Sequence, residues 1–287
     1  MAQLLKAKEA ADLVYENVGQ CVRRYQEQGI QPHLCTLLVE GDPASAYYAQ
    51  AKCKLAEKLG VTFSLHTFPR EVTQAELTKL IVQWNEDPGV HGILLELPLP
   101  PNLSAGALER VISPEKDVDG VTPTNKLATV TGSPGLYPAT PEACLRLLKH
   151  YGYRLEGKNV TLIGRGQTVG LPLFHMLQRE QATITLCHSR TPDIAFHLRH
   201  ADIAFVAVGR PGVVTKGIVH PKLVVIDAGI NETDDGAIVG DAAEDVREAV
   251  SAVSPVPGGV GTLTTAILFE NLMKAIALQA DAKEAGR

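Results

Sequence analysis

An apolar run, Val160-Thr161-Leu162-Ile163, leads into Gly164-Arg165-Gly166-Gln167-Thr168-Val169-Gly170 and out into Leu171 to Gln178, a stretch of helical length and apolar content. A buried strand that turns through glycines into a helix constrains the fold more than any other stretch of the chain. It reads as the start of a β–α–β unit with parallel strands. It also reads as a phosphate cradle: small residues let backbone N–H groups approach a pyrophosphate, and the helix N-terminus favours negative charge. The spacing G-x-G-x-x-x-G is looser than the commoner dinucleotide fingerprint, so taken alone the loop also reads as a plain turn.

A second short strand, Ala182 to Cys187, ends about 20 residues past the glycines, where the ribose-reading residue of such a unit lies. An NAD site places Asp or Glu there. This chain has Ser189, Arg190 and Thr191, with no carboxylate before Asp193, and Arg165 stands in the glycine loop itself. A hydroxyl with one or two guanidiniums suits a 2′-phosphate, because arginine makes paired charge-assisted bonds to phosphate oxygens. NADP is therefore the expected cofactor; the alternative reading is a solvated basic turn.

At 287 residues the chain is long for one core and comfortable for two domains. Net charge is −5 and the Lys and Arg residues are dispersed, which argues against nucleic acid as a partner. The five cysteines (21, 35, 53, 144, 187) are odd in number and form no C-x-x-C, so neither a disulfide framework nor a zinc site is expected. Lys6, Lys8 and Glu9 come too soon for a signal-peptide core, and no apolar run approaches membrane-spanning length. A cytoplasmic protein with no membrane partner is expected.

Along the chain, the first thirty residues read as one amphipathic helix, with Leu4, Leu5, Ala11, Val14, Val18 and Val22 near helical spacing. Cys35–Val39 reads as a buried strand, Glu40–Pro43 as a turn, and Ser45 as the N-cap of a helix ending at Leu59-Gly60. Strands near 61–68 and 92–97 alternate with helices over 75–84 and 104–112. From Asp117 to Tyr137 periodicity is lost, and the stretch reads as a loop-rich link. Thr140-Pro141-Glu142 restarts helix with an N-cap and an early proline. The last helix, Leu263 to Leu278, is expected to pack back on the first domain. The reading is an α/β protein of two domains: an N-terminal α/β catalytic domain over 1–139, joined by 264–287, and a Rossmann-like parallel-sheet NADP-binding domain over 140–263.

In the first domain, Tyr48 and Lys52 stand at i and i+4, on one helix face. A tyrosine ring can stack on a flat substrate while a lysine supplies a proton, although such pairs also occur on solvated faces. Short-chain dehydrogenases share a Tyr-x-x-x-Lys pair, but there the glycine loop comes first, and here the order is reversed. Leu94-Leu95-Glu96-Leu97-Pro98 ends a strand with a carboxylate among apolar residues, costly unless paired, and Lys52 is the candidate partner. Asp117 and Asp119 could receive N–H groups of a ligand or cap a turn. Pro255-Val256-Pro257-Gly258-Gly259-Val260-Gly261 suits close backbone approach to a flat ligand, or a hinge.

Together these motifs resemble the methylenetetrahydrofolate dehydrogenase/cyclohydrolase family. Those that carry the resemblance are Asp42-Pro43-Ala44-Ser45 with Tyr48 and Lys52, Leu97-Pro98-Leu99-Pro100, Lys116-Asp117-Val118-Asp119-Gly120, and Pro138-Ala139-Thr140-Pro141. Gly164-Arg165-Gly166 through Gly170, Cys187-His188-Ser189, Ile226-Asp227-Ala228-Gly229-Ile230-Asn231, Gly240-Asp241 and Pro255–Gly261 follow in the family's order. The resemblance implies hydride transfer from 5,10-methylenetetrahydrofolate to NADP, then hydrolysis of the methenyl cation to 10-formyltetrahydrofolate. It implies Lys52 as the central catalytic residue, Tyr48 stacked on the folate and Asp119 holding the pterin. Gly164, Arg165, Gly166, Ser189 and Ile230 would line the cofactor site, and the backbone of Pro257, Gly258 and Gly259 would approach the folate. A homodimer joined through the cofactor domain is implied as well.

Four positions depart from the family's pattern. Glu96 stands where a glutamine that positions the lysine is usual. Gly261-Thr262-Leu263-Thr264 replaces Gly-Pro-Met-Thr, Gly166 replaces a frequent serine, and Asn125-Lys126 lacks a nearby glycine. Glu96 opens a second reading, a dehydrogenase with weak or absent cyclohydrolase activity. A more remote one is a non-catalytic dinucleotide-binding protein, against which Tyr48, Lys52 and Asp119 all argue.

Overall fold

The computed structural model describes residues 1–41, 43–233 and 236–285, apart from the side chains of Pro43, Ala44, Tyr47 and 283–285. Part of the expected 40–43 turn and of the Asp42-Pro43-Ala44-Ser45 motif thus lies outside the described residues. In chain order the strands are β1 (Gln3–Leu4), β2 (His33–Val39), β3 (Thr62–Phe68), β4 (Gly92–Leu95), β5 (Asn159–Ile163), β6 (Thr183–Cys187), β7 (Ile203–Val206), β8 (Val224–Asp227), β9 (Asn231–Glu232), β10 (Ile238–Val239) and β11 (Ala252–Val253). The α-helices are α1 (Lys8–Glu27), α2 (Pro43–Leu59), α3 (Gln74–Glu86), α4 (Ala105–Glu109), α5 (Pro123–Thr131), α6 (Ala139–His150), α7 (Gly170–Arg179), α8 (Ile194–Arg199) and α9 (Val260–Ala285).

Two compact units result. One comprises Leu13–Ala128, Ser133–Tyr137 and Leu268–Arg287; the other comprises Met1–Asp12, Thr129–Gly132 and Pro138–Ile267. The first holds a parallel sheet in the order β3-β2-β4, in register from His33↔Thr62 and Leu34↔Gly92 onward. Cys35, Leu37, Val39, Ile93 and Leu95 pack with Leu77, Ile81 and Trp84 of α3 in one buried cluster. α3 starts on a reciprocal capping box, Thr73 with Glu76. Its C-terminal end is closed from far along the chain: buried Lys116 donates to the carbonyls of Trp84, Asn85 and Asp87 at 2.9, 2.9 and 2.7 Å.

The second unit is a six-stranded parallel sheet ordered β1-β11-β8-β7-β5-β6. β7 and β8 are buried at every residue, which accounts for the apolar runs Ile203–Val206 and Val224–Ile226. From β5 the chain passes through α7 to β6 on one side, then through α8 to β7 on the other. The strand order therefore reverses at the β5/β7 boundary, where open α/β sheets bind ligands at their carboxyl ends.

Several local expectations differ from the structure. Gln3–Leu4 is strand, not helix, because it pairs with Ala252–Val253. Ser45 lies inside α2 rather than capping it, and its Oγ donates to the Leu97 carbonyl at 3.1 Å. Thr140 likewise lies within α6. The 117–137 stretch contains α5, whose start is secured by buried Asp117: it accepts from the N–H groups of Val121 and Thr122 and from Asn125 Nδ2. Burial pushes the Asp117 carboxyl above its usual range, against the pull of those donors.

Candidate active site

Ser45, Tyr48 and Lys52 follow one another at i, i+3 and i+7 on α2, and therefore share a face. The Ser45–Leu97 bond ties that face to the chain leaving β4. Glu96 extends the β4 pairing by one residue, its N–H donating to the Leu37 carbonyl at 2.9 Å. These two anchors bring Lys52 Nζ to 2.6 Å from Glu96 Oε1 and 2.8 Å from Oε2. The side chains are only 14% and 8% exposed, so this is a largely dry ion pair at the carboxyl end of a parallel sheet. Tyr48 is half-buried one turn before Lys52.

Asp119 sits half-buried in a segment clamped on both sides. Lys116 fastens one end to the α3 C-terminus, and Asp117 fastens the other to the start of α5. Asn271 of α9 adds a third tie, donating to the Val118 carbonyl at 2.9 Å. Within Lys-Asp-Val-Asp, then, Lys116 and Asp117 are engaged in holding backbone. The cap alternative applies to Asp117.

In the other unit, Gly164 has φ +114°, and a Cβ there would lie 2.0 Å from the Ala207 carbonyl oxygen. Gly170 is equally constrained: a Cβ would lie 2.3 Å from the Gly164 carbonyl oxygen. Both glycines are thus required by close backbone packing at the β5–α7 turn. α7 has no side-chain N-cap, which leaves a helix N-terminus suited to an anion, and residues 165–168 are exposed.

After β6, the His188 N–H donates to Thr191 Oγ1 at 2.9 Å and the Arg190 N–H to His188 Nδ1 at 3.1 Å. This local turn leaves Ser189 and Arg190 exposed. Asp193, the first carboxylate beyond, caps α8 by accepting from the Phe196 N–H. Ile230 is 49% exposed, and Gly261 lies beside its Cδ1. Pro257 and Gly258 are exposed, whereas Gly259 is buried, with no room for a Cβ against the Pro255 carbonyl oxygen. The features present therefore fit a phosphate-bearing dinucleotide: an uncapped helix end, glycines in tight backbone contact, and exposed Arg165, Ser189 and Arg190.

Sequence reasoning assigned no role to the buried carboxylates of Asp227 and Asp241. Asp227 accepts from the N–H groups of Gly229, Asp241 and Ala242 at 2.8, 3.1 and 2.8 Å. Burial pushes its carboxyl up to about 6, the Asp241 charge adding to the effect and the amides opposing it. The available signal was the glycine beside each acid, in Asp227-Ala228-Gly229 and Gly240-Asp241.

Residues 5–119 match the tetrahydrofolate dehydrogenase/cyclohydrolase catalytic domain, and residues 138–280 match the NAD(P)-binding domain of the same family. The bifunctional protein FolD of Heliobacterium modesticaldum is 48% identical over 279 residues, 97% of each chain. The solved structure of the bifunctional FolD enzyme from Campylobacter jejuni superposes with a TM-score of 0.93 at 36% identity, covering 97% of this chain and 100% of that one. That of the Trypanosoma brucei dehydrogenase-cyclohydrolase, complexed with NADP cofactor and inhibitor, gives 0.91 at 32% identity over 97% and 98%. The chain belongs to the tetrahydrofolate dehydrogenase/cyclohydrolase family.

Proposed function

We propose that this protein oxidises 5,10-methylenetetrahydrofolate with NADP and hydrolyses the 5,10-methenyl product to 10-formyltetrahydrofolate, as a cytoplasmic homodimer. The observation that carries the reading is the dry Lys52–Glu96 pair at the carboxyl end of the β3-β2-β4 sheet. A charged pair there costs desolvation that an apolar pair would not, so its place at a ligand-binding edge favours a chemical role.

NADP supplies the hydride acceptor, and the protein supplies orientation and charge. The α7 N-terminus and the Gly164–Gly166 backbone would receive the pyrophosphate. Arg165, Ser189 and Arg190 would receive the 2′-phosphate, and Ile230 would offer an apolar surface to the cofactor. Tyr48 would stack on the folate, Asp119 would accept pterin N–H groups, and the Pro257–Gly259 backbone would approach the substrate. Hydrolysis adds water to the methenyl carbon, opens its bond to one folate nitrogen and releases one proton overall. Lys52 is the group placed to move protons in that step. Its Nζ is bonded to both carboxylate oxygens of Glu96, so the ammonium must leave that pair before it can reach a substrate nitrogen or a water. That same observation favours the second reading, a dehydrogenase whose cyclohydrolase step is slowed by Glu96.

The dimer proposal rests on β6, an edge strand of Thr183-Ile184-Thr185-Leu186-Cys187 with no charged residue to discourage pairing. Mixing the protein with methylenetetrahydrofolate and either NADP or NAD, and following reduced cofactor, tests the main reading. NADPH should form at a lower cofactor KM than NADH. Failure to reduce either cofactor would refute the activity, and equal use of NAD would refute the reading of Arg165, Ser189 and Arg190.

A further inference from the structure

Asp241 is fully buried, and its carboxylate is received by amides. Oδ2 accepts from the N–H groups of Val208 and Gly209 at 2.6 and 3.0 Å. Oδ1 accepts from the Arg210 N–H at 2.8 Å and from Asn231 Nδ2 at 2.9 Å. Three successive N–H groups converging on one anion form a nest of the kind that elsewhere binds phosphate. Here the anion is part of the chain. The nest belongs to the loop that leaves β7, and Asn231 opens β9 directly after the loop that leaves β8, so one carboxylate joins the two segments.

Asp227 extends the link: it holds the N–H groups of Gly229, Asp241 and Ala242. The fit is tight enough to dictate sequence. A Cβ on Gly229 would lie 2.2 Å from Asp241 Cγ, and one on Gly240 would lie 2.0 Å from Asp227 Oδ2. The 207–210 loop in turn touches the glycine turn, since the Ala207 carbonyl oxygen occupies the space where a Gly164 Cβ would be.

These loops occupy the β7/β8 side of the strand-order reversal. Ser189 and Arg190 lie on the opposite side, beyond β5. We infer that Asp241 is a positioning residue for the nicotinamide half of the cofactor, acting as a built-in anion that sets the backbone of 208–210 against that of 229–231, while the adenosine half is held independently of it. This rests on the NADP reading given above. An amide in place of the carboxylate would turn an NH2 toward at least one N–H donor whichever way it faced, so the nest would open.

The test is calorimetric titration of the full chain with NADP and with adenosine 2′,5′-bisphosphate, which carries only the adenosine half with its 2′-phosphate. Asp241→Asn and Asn231→Ala are compared with wild type. Asp241→Asn should weaken NADP by roughly ten- to a hundred-fold, the range for losing one charge-assisted bond, and leave the bisphosphate within about twofold. Asn231→Ala, which keeps the buried acid and decides the matter if Asp241→Asn fails to fold, should show the same split at a smaller size. Parallel weakening of both ligands, or no change in either, would overturn the inference. A wild-type protein that binds neither ligand would instead overturn the NADP reading on which it rests.

Discussion

Exchanging Glu96 for glutamine removes one charge and keeps the shape beside Lys52. With 2.6 and 2.8 Å bonds to both carboxylate oxygens, the ammonium now faces a full opposite charge in a largely dry setting. Glu96→Gln should therefore raise the methenyl-folate hydrolysis rate relative to dehydrogenation, measured on the same preparation. A large loss of hydrolysis would make Glu96 itself the base that takes the proton from water. Lys52→Met should lose hydrolysis by about 10²–10⁴-fold, the usual contribution of a general acid–base group, with dehydrogenation less affected. Full retention of hydrolysis would remove Lys52 from the proton path. Because Lys52→Met strands a buried carboxylate, at a cost of about 3–5 kcal/mol, the double variant with Glu96→Gln is the stability control. The pairing of Lys52 with Glu96 was legible in the sequence, because an acid embedded in Leu94-Leu95-Glu96-Leu97 calls for a cation. Asp227 and Asp241 were not legible in that way, since backbone amides, joined at Asp241 by the Asn231 side chain, satisfy them and no cation marks the site.

At the scale of elements, what escaped the sequence is what depends on distant partners. β1 is two residues long and exists through its pairing with β11. α5, rich in threonine, starts where Asp117 supplies its first acceptors, and α3 ends where Lys116 supplies its last donors. Lys116→Met should lower stability by about 1–3 kcal/mol in urea unfolding, since it removes three hydrogen bonds to the carbonyls that end α3, one of them in the core at Trp84. An unchanged midpoint would mean that water replaces the ammonium.

The Asp227 network carries a pH dependence of definite sign. Its carboxyl is raised from 3.8 to about 6, so between those values the folded protein holds a proton that the unfolded chain has released. Its contribution to stability is therefore greatest below 3.8, falls as pH rises to about 6 and is flat above. The stability difference between wild type and Asp227→Asn should drift against wild type across that window. A constant difference would show that Asp227 titrates normally.

For the molecule as a whole, the alternation of strands and helices made the parallel α/β architecture legible, because hydrophobic runs bounded by glycine and proline report strands buried on both faces. The strand order of the six-stranded sheet was not legible, since it depends on which edges pair across long separations. One chain runs both folate steps, and the order of the motifs agrees with that more closely than any one motif does. The most direct test records NADPH and methenyl-folate absorbance together after methylenetetrahydrofolate and NADP are added to wild type. Steady NADPH formation is expected, with a methenyl signal that decays at a rate proportional to protein concentration. Methenyl-folate that accumulates in step with NADPH and persists, whatever the amount of protein, would contradict it.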